Sequence, residues 1–458
     1  MSTAVVLGGG FAGVLAAAVL ARHADTVVLV EGGRYPPAPG PRPGLPQGHH
    51  NHVLVAGGVE ALEALLPGTA GALLAGGVHR RDLPGGALIR SAAGWFHRHE
   101  TGAYLLSGSR WLFDHVVRGR ALAAGGVSVR QRTQVLGLTG EASRVTGAVV
   151  AGPDGRVATI PADLVVDATG RRSRAPRWLA DLGAPPVGEE TVDTGMAYST
   201  RVYRAPADLA GIPAIMVHPS AATGWPGNGA TLFPIEGGRW IVTLTGIRGS
   251  APPVDEAGFT ACAYGLGSPI IAELMAAAEP LGGVRPYRAT ANRRRFAGRG
   301  PRPHGFLAVG DALAAFNPVY SHGMSVAALA ALRLAGELER RGLEASAATD
   351  LQAAASAVVE RPWRMATDQD RRLVGGGSGQ APAGAGPPGM SRAVPGSRAL
   401  MTAMFRAHTL LPARSALDAA RLSAEVAAAP PPLATDGEAI AQYPELSAWL
   451  RRAAAVPA

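Results

Sequence analysis

The feature that most constrains this chain lies at its start. Thr3-Ala4-Val5-Val6-Leu7 reads as a short buried strand, Gly8-Gly9-Gly10-Phe11-Ala12-Gly13 as a glycine-rich turn, and residues 14–21 as an apolar helix. Each glycine answers a different need. Gly8 permits the tight reversal, Gly10 lets backbone approach a ligand, and Gly13 lets the helix lie against the strand. The turn leaves the amides and positive dipole of a helix N-terminus facing whatever sits over it. A second strand-like run, residues 26–30, ends in Glu31, about 20 residues past the glycines, where a carboxylate accepts from a ribose hydroxyl and repels a 2'-phosphate. The expected ligand is a pyrophosphate-bridged dinucleotide, FAD or NAD rather than NADP. The alternative is a flexible turn in a chain with 61 glycines, and it leaves strand, helix and acid in register unexplained.

The buried-strand pattern returns twice downstream. Asp163-Leu164-Val165-Val166-Asp167 runs into Ala168-Thr169-Gly170-Arg171-Arg172-Ser173, and Phe306-Leu307-Ala308-Val309 runs into Gly310-Asp311-Ala312. Between them, residues 196–203, 229–233 and 240–245 alternate in the manner of half-buried strands joined by Gly/Pro turns. Helices are predicted over 59–66, 111–122 with Ser109 as N-cap, and 323–339, and residues 127–138 and 145–150 are predicted as strands. The fold class is α/β, with a Rossmann-like dinucleotide domain discontinuous over 1–70, 101–190 and 290–346. A mixed or antiparallel β-sheet substrate domain takes 71–100 and 191–289. A helical region follows over 347–458, with a Gly/Pro-rich loop at 375–388.

Composition narrows the chemistry. The 458 residues contain no lysine, so all 43 basic residues are arginine, which excludes Schiff-base catalysis and a P-loop lysine. The net charge of +9 is dispersed and aromatics make up only 5%. Even the densest basic cluster, Arg293-Arg294-Arg295 with Arg299 and Arg302, lacks interleaved stacking residues, so nucleic acid is not an expected partner. The expected reading is a solvated, arginine-biased surface, and the lesser alternative is a positive field that draws in a phosphorylated reductant such as NADPH. Cys262, the one cysteine, cannot form an intrachain disulfide and reads as a small core residue in a helix. His49, His50 and His52 invite a metal reading, but no matching ligand spacing accompanies them and no metal is expected. No signal-peptide pattern or membrane span is read, and the expected location is cytoplasmic.

Four motifs in order carry a resemblance: Gly8 to Gly13 with Glu31, Ser109-Arg110 at a helix start, residues 163–173, and Gly310-Asp311 through Gly323. On these the chain resembles single-component FAD monooxygenases of the para-hydroxybenzoate hydroxylase fold, whose FAD domain is of the GR2 type. Three phrases bring it nearest the bacterial polyether-type polyketide epoxidases. They are Arg42-Pro43-Gly44-Leu45-Pro46-Gln47 with His50 and His52, Asp167-Ala168-Thr169-Gly170-Arg171, and Phe316-Asn317-Pro318-Val319-Tyr320 with His322-Gly323-Met324.

The resemblance implies an FAD site built from Gly8, Gly10, Phe11, Ala12, Gly13 and Glu31. It puts Asp311, with Gly310, on the ribityl or ribose hydroxyls and Arg110 on the phosphates. Val135 would meet the adenine, Arg42 and Gly44 would lie along the flavin, and Asp167 belongs to the second motif. Pro318, Ser321, His322, Gly323 and Met324 fall near the isoalloxazine. Ser321-His322-Gly323 departs from the family's usual Gly-x-Gly, and Asp167-Ala168-Thr169-Gly170 separates by two residues an aspartate and glycine that are often adjacent.

The implied reaction uses NAD(P)H and O2 and passes oxygen from a flavin C4a-hydroperoxide to a carbon-carbon double bond of an apolar polyketide or polyene, as in antibiotic biosynthesis. No acid/base pair is expected. Met196, Tyr198, Trp225, Phe233, Phe316 and Tyr320 are candidate pocket walls, with Trp363 as a cap. An aromatic hydroxylase and an isoprenoid or polyketide double-bond reductase share the same frame, and a non-catalytic binding protein ranks behind them. Halogenases of this fold depend on a lysine, which this chain lacks. The substrate is expected to be an apolar small molecule, a separate flavin reductase is an optional partner, and the protein is expected to be a monomer or homodimer.

Overall fold

The apolar runs read from the sequence become a parallel sheet in the computed structural model, which describes residues 1–209, 211–219, 227–296, 302–343, 347–374, 389–412 and 418–454. Strands β1 (Thr3–Leu7), β2 (Thr26–Val30), β8 (Val127–Arg130), β12 (Leu164–Asp167) and β20 (Phe306–Ala308) lie in the order β20–β12–β1–β2–β8. Each neighbouring pair is parallel. Strands covered on both faces carry unbroken apolar runs, and Val5, Val6, Leu7, Val165 and Val166 are fully buried. The helices of this layer are α1 (Phe11–Leu20), α2 (Ala56–Leu65), α3 (Thr69–Ala75), α4 (Arg110–Ala123) and α5 (Ala175–Asp181). Ser109 caps α4 by accepting from the Leu112 amide at 3.2 Å.

Residues 127–138 are not one strand. After β8 the chain turns at Arg132, whose φ is +55°, and the Arg132 and Thr133 amides donate to the Gly33 and Glu31 carbonyls at 3.0 Å each. Then β9 (Gln134–Glu141) pairs antiparallel with β10 (Arg144–Ala151), and β10 with β11 (Val157–Pro161). The hydrogen bonds to residues 31–33 override a continuous β propensity and bring β9 back beside the glycine turn.

A seven-stranded sheet forms the second layer. Its order is β18 (Glu279–Tyr287), β14 (Ala197–Arg204), β17 (Arg239–Gly246), β16 (Asn228–Ile235), β15 (Ala214–Val217), β5 (Ala87–Ser91) and β6 (Gly94–Trp95). All neighbours are antiparallel except β15 and β5. Period-two alternation gives it two apolar faces. One face, with Trp240 and Leu244, packs under α6 (Glu256–Tyr264) and α7 (Ile270–Ala276), where Cys262 is fully buried. The other, with Phe233 and Ile241, packs against β3 (His52–Val55), β4 (His79–Leu83) and β7 (Ala103–Gly108), which form a three-stranded sheet of their own. A further small sheet of β13 (Glu189–Val192), β19 (Asn292–Arg295) and β21 (Ala314–Ala315) joins the two layers.

The later helices divide between the layers. The helix α8 (Gly323–Arg341) packs on α1 and α2, and α9 (Ala347–Val374) packs on α8 and β20. Following these are α10 (Met390–Ala393), α11 (Arg398–His408) and α12 (Ala419–Ala428). The last pair, α13 (Asp436–Ala441) and α14 (Pro444–Ala454), joins the Trp240 core. Residues 375–388 lie outside the described residues, as do Trp225 and Arg299. No single described helix is long and apolar enough to cross a membrane.

Candidate functional site

The first wall of the site is the turn between β1 and α1. A Cβ on Gly13 would run into the Gly8 carbonyl oxygen, and one on Gly8, at φ +96°, would come 2.6 Å from the Ala168 carbonyl oxygen. Over Gly10, by contrast, nothing lies within 4 Å of where a Cβ would stand, and α1 starts there with no side-chain cap. Glu31 accepts from the amides of Gly9 at 2.9 Å and Gly33 at 2.7 Å. Arg42 pairs with Glu31 at 3.2 Å and donates to the Gly9 carbonyl at 3.1 Å. Tyr35 donates to the same carbonyl at 3.0 Å, and burial holds its phenol well above the usual range. Arg110 is buried on α4, where its Nε donates to Asp114 at 2.8 Å.

The second wall is the segment from Gly310 to Met324. A Cβ on Gly310 would fall 2.6 Å from the Ala12 Cβ, so this turn lies against the start of α1. The Asp311 carboxylate stands 3.9 Å from the position of a Gly323 Cβ, at the uncapped start of α8. It makes no hydrogen bond to a described residue. Ser321 adopts the left-handed region at φ +58°, where a glycine would be relaxed. Next to it His322 is 1% exposed, and its Nε2 lies 3.0 Å from the His408 carbonyl. A carbonyl only accepts, so Nε2 carries the proton and Nδ1 is a buried acceptor with no partner. Burial first, then His408, pulls the His322 pKa down to about 3.

The third wall comes from the seven-stranded sheet. Tyr198 donates to Asn317 Oδ1 at 2.7 Å, and Asn317 donates through its side chain to Asp370 at 3.3 Å and to the Met196 sulfur at 3.6 Å. Asp370 on α9 also accepts from Tyr320 and from Asn292, at 2.5 Å each. Burial raises both the Asp370 carboxyl and the Tyr320 phenol, so Tyr320 keeps its proton and donates it to the shared bond. Tyr287 stacks 6.3 Å from Tyr198 and lies tilted, 5.0 Å from His50, whose Nδ1 lies 2.9 Å from the Thr200 hydroxyl. Burial lowers the His50 pKa to about 4. Burial raises the Tyr287 phenol above its ordinary value, with Arg171, Arg172 and Arg110 opposing and Asp311 adding to the rise.

Residues 55–261 match the family of the FAD binding domain. Over 377 residues the chain is 31% identical to Protein Rv3254 of Mycobacterium tuberculosis, covering 79% of this chain and 78% of that one. The chain belongs to the same family as Protein Rv3254, and it carries an FAD binding domain match over residues 55–261. Among solved structures it is similar to PqsL of Pseudomonas aeruginosa, a probable FAD-dependent monooxygenase, with a TM-score of 0.61 at 18% identity over 82% of this chain and 98% of that one. The tetrameric form of 2-methyl-3-hydroxypyridine-5-carboxylic acid oxygenase gives 0.59 at 17% over 83% and 94%. The flavin-dependent brominase Bmp2 gives 0.56 at 18% over 82% and 83%. At these identities the likeness is one of fold, that of FAD-dependent monooxygenases.

The residues present fit FAD. Arg42 Nε and Asp114 Oδ2 are buried polar atoms without partners, and both residues line the cleft that also contains Gly10 and Phe11. Together with the open space over Gly10 and the unengaged Asp311, they form a cradle for phosphates and sugar hydroxyls. Gly44, at φ +84°, also leaves open space, whereas Arg42 turns to Gly9 and Glu31 rather than to residues 318–324. Val135 is half-buried at the start of β9, where Gln134 reaches Gly32.

Three expected residues, Asp167, Phe233 and Trp363, are placed differently. Asp167 is fully buried and accepts from the Thr169 amide, the Thr169 hydroxyl and the Ser173 hydroxyl, so it closes its own turn instead of facing a ligand. Phe233 lies on the same sheet face as Thr243 but two positions further along, in the core with Ile241 and Phe405. Phe316 packs 6.5 Å from Trp363, which is buried rather than open to a ligand.

The residues missed from sequence are Tyr35, Arg171, Tyr287 and Asp370. Arg171 donates to the carbonyls of Ala291 at 2.6 Å and Phe316 at 2.8 Å, tying the second motif to the third wall. Asp370 had a legible signal, because at helical spacing it shares a face with the buried Trp363, Ala366 and Thr367.

Proposed function

We propose that this chain is an FAD-dependent monooxygenase that draws electrons from NAD(P)H, directly or through a separate flavin reductase, and places one atom of O2 on a carbon-carbon double bond of an apolar polyketide or polyene. The observation that carries the reading is that the α1 start, the Gly310–Asp311 turn and the α8 start lie side by side, Gly310 against Ala12 and Asp311 beside Gly323. FAD, when bound, supplies the redox and oxygen-activating chemistry. The open amides at Gly10 and the Arg42 guanidinium offset phosphate charge, while Glu31 and Asp311 accept from sugar hydroxyls. The amides opening α8 favour negative charge at the cleft. The buried, neutral His322 and the apolar faces of Phe316 and Met324 keep water out.

A second reading has its own support. Tyr287, His50 and Thr200 give the sheet wall a row of polar groups, which suits a substrate ring bearing a hydroxyl, and aromatic hydroxylation follows from the same frame.

The test is NADPH oxidation and oxygen uptake by the FAD-loaded protein with and without a polyene, while product mass is followed. Products one oxygen heavier that carry an epoxide support the proposal, and a new phenol from an aromatic substrate moves it to the second reading. Hydrogen gained or lost with no oxygen incorporated moves it to a reductase or dehydrogenase. The site assignment has a separate check. A Gly10→Val, Asp311→Leu double variant is expected to lose FAD on gel filtration, and full flavin content in it would overturn the assignment.

A further inference from the structure

A second cavity, of about 800 Å3, lies between α11, α12 and the segment after β6. Arg361, Arg398, Arg406, Arg421, His97 and His99 line it. The one carboxylate in its lining, Glu425, already accepts from the Ser397 hydroxyl at 2.9 Å. None of the four arginines is ion-paired with a described carboxylate. Arg406 donates to the Pro412 carbonyl at 2.8 Å, and the other three guanidinium groups make no hydrogen bond to a described residue. The positive field reaches its neighbours, since burial, His97 and Arg398 together hold His99 below its ordinary value.

Some arginines elsewhere on the surface do find acids. Arg204 meets Glu279 at 2.7 Å and Arg371 meets Glu190 at 2.8 Å. A concave surface that gathers four guanidinium groups without partner acids focuses a field suited to an anion. The register of α11 adds the scale. Arg398, Thr402 and Arg406 recur every four residues on one face, so the two guanidinium groups are rooted about 12 Å apart along the axis. The small side chains of Ala399, Ala403 and Ala407 lie beside them and leave room above the helix. That spacing accommodates a ligand with several phosphate groups, the volume matches cavities that hold nucleotide-sized molecules, and the guanidinium fork fits phosphate oxygens.

We propose that this groove binds a nucleotide-sized anion carrying two or more phosphate groups, held by Arg398, Arg406 and Arg421. The inference stands apart from the oxygenation reading. Two sources share the chemistry, a reductant of the NADPH type and an acyl carrier of the coenzyme A type.

The experiment is calorimetric titration of the FAD-loaded full chain with NADPH, NADH, coenzyme A and inorganic pyrophosphate. It is repeated on Arg398→Ala, Arg406→Ala and on Arg398→Lys, Arg406→Lys double variants. NADPH or coenzyme A is expected to bind, and the alanine pair to weaken it about tenfold or more per arginine. The lysine pair should fall between and keeps the test valid if the alanine pair misfolds. Flavin content and far-UV circular dichroism, read on the same samples, are expected to stay at wild-type levels. The probe that loses affinity identifies the source, and loss of NADPH but not NADH binding assigns the 2'-phosphate. Absence of binding by all four probes, or equal binding to wild type and both variants, would overturn the proposal. Failure of the flavin reading would show instead as a wild-type protein without FAD.

Discussion

The turn at Gly8–Gly13 is fixed by crowding that excludes a Cβ, with Glu31, Tyr35 and Arg42 holding Gly9, whereas the turn at Pro318–Gly323 is held by polar groups from three distant segments. In the first, the Gly8 and Ala168 carbonyls leave no room for a Cβ at Gly13 or Gly8. In the second, Asn317 accepts from Tyr198 and from the Val319 amide, Tyr320 donates to Asp370, and His322 leans on the His408 carbonyl. Glycine is therefore obligatory in one turn and replaceable in the other, which is how serine and histidine come to stand at 321 and 322. A ligand cradle made of amides needs a fixed backbone, and such a backbone can be set either by close backbone packing that excludes a Cβ or by a polar scaffold around it.

The largest expected effect on this contrast comes from acid. His50 and His322 take up protons near pH 6.5 when unfolded but only near about 4 and about 3 when folded. The stability they contribute is full above pH 6.5 and is lost as pH falls toward those lower values. At about 1.4 kcal/mol for each tenfold change in proton affinity, the loss from pH 7 to pH 4 is on the order of several kcal/mol. Urea midpoints measured across that range should fall steeply, and His322→Gln should flatten the limb. A midpoint that does not move with pH would contradict the buried, neutral state of both rings.

Next is Gly13→Val. It forces a branched side chain into the Gly8 carbonyl and is expected to cost about 3 kcal/mol or more and to release FAD. Thermal melts together with flavin content after desalting measure both. Asp370→Leu should cost about 2 kcal/mol by leaving the Tyr320 hydroxyl and the Asn292 amide unpaired. Chemical denaturation reads that loss, and an unchanged midpoint would show that the second turn does not depend on its scaffold. The smallest effect is expected from Ser321→Gly, which relieves a left-handed backbone worth about 1–2 kcal/mol but restores part of that in unfolded-chain entropy. A net gain of roughly 0.5 kcal/mol in denaturant is the expected outcome.

The same contrast explains what could be read in advance. The strand, turn, helix and Glu31 were legible because glycine spacing and apolar period are local properties. The burial of Val165 and Phe306 followed for the same reason. The break at Arg132 was hidden, since it depends on carbonyls of Gly33 and Glu31 about a hundred residues upstream. Asp167 looked like a ligand group because the motif does not reveal that the carboxylate is fully buried on Thr169 and Ser173. Tyr287 sits in a Gly/Pro-rich strand with no helical or alternating signal, so only the register of β18 against Tyr198 exposes it.

The return of α13 and α14 to the seven-stranded sheet bears on how the protein is made. Trp95 bridges to Leu433 and donates to Asp436 at 3.0 Å, while Ala439, Tyr443 and Leu446 complete the core around Trp240. The parallel sheet likewise waits for β20 and α8. A chain leaving the ribosome therefore holds both cores open until its final third emerges. Through that interval its apolar faces are open to chaperones and to neighbouring chains, so folding depends on the residues from β20 onward as much as on the glycine turn near residue 8.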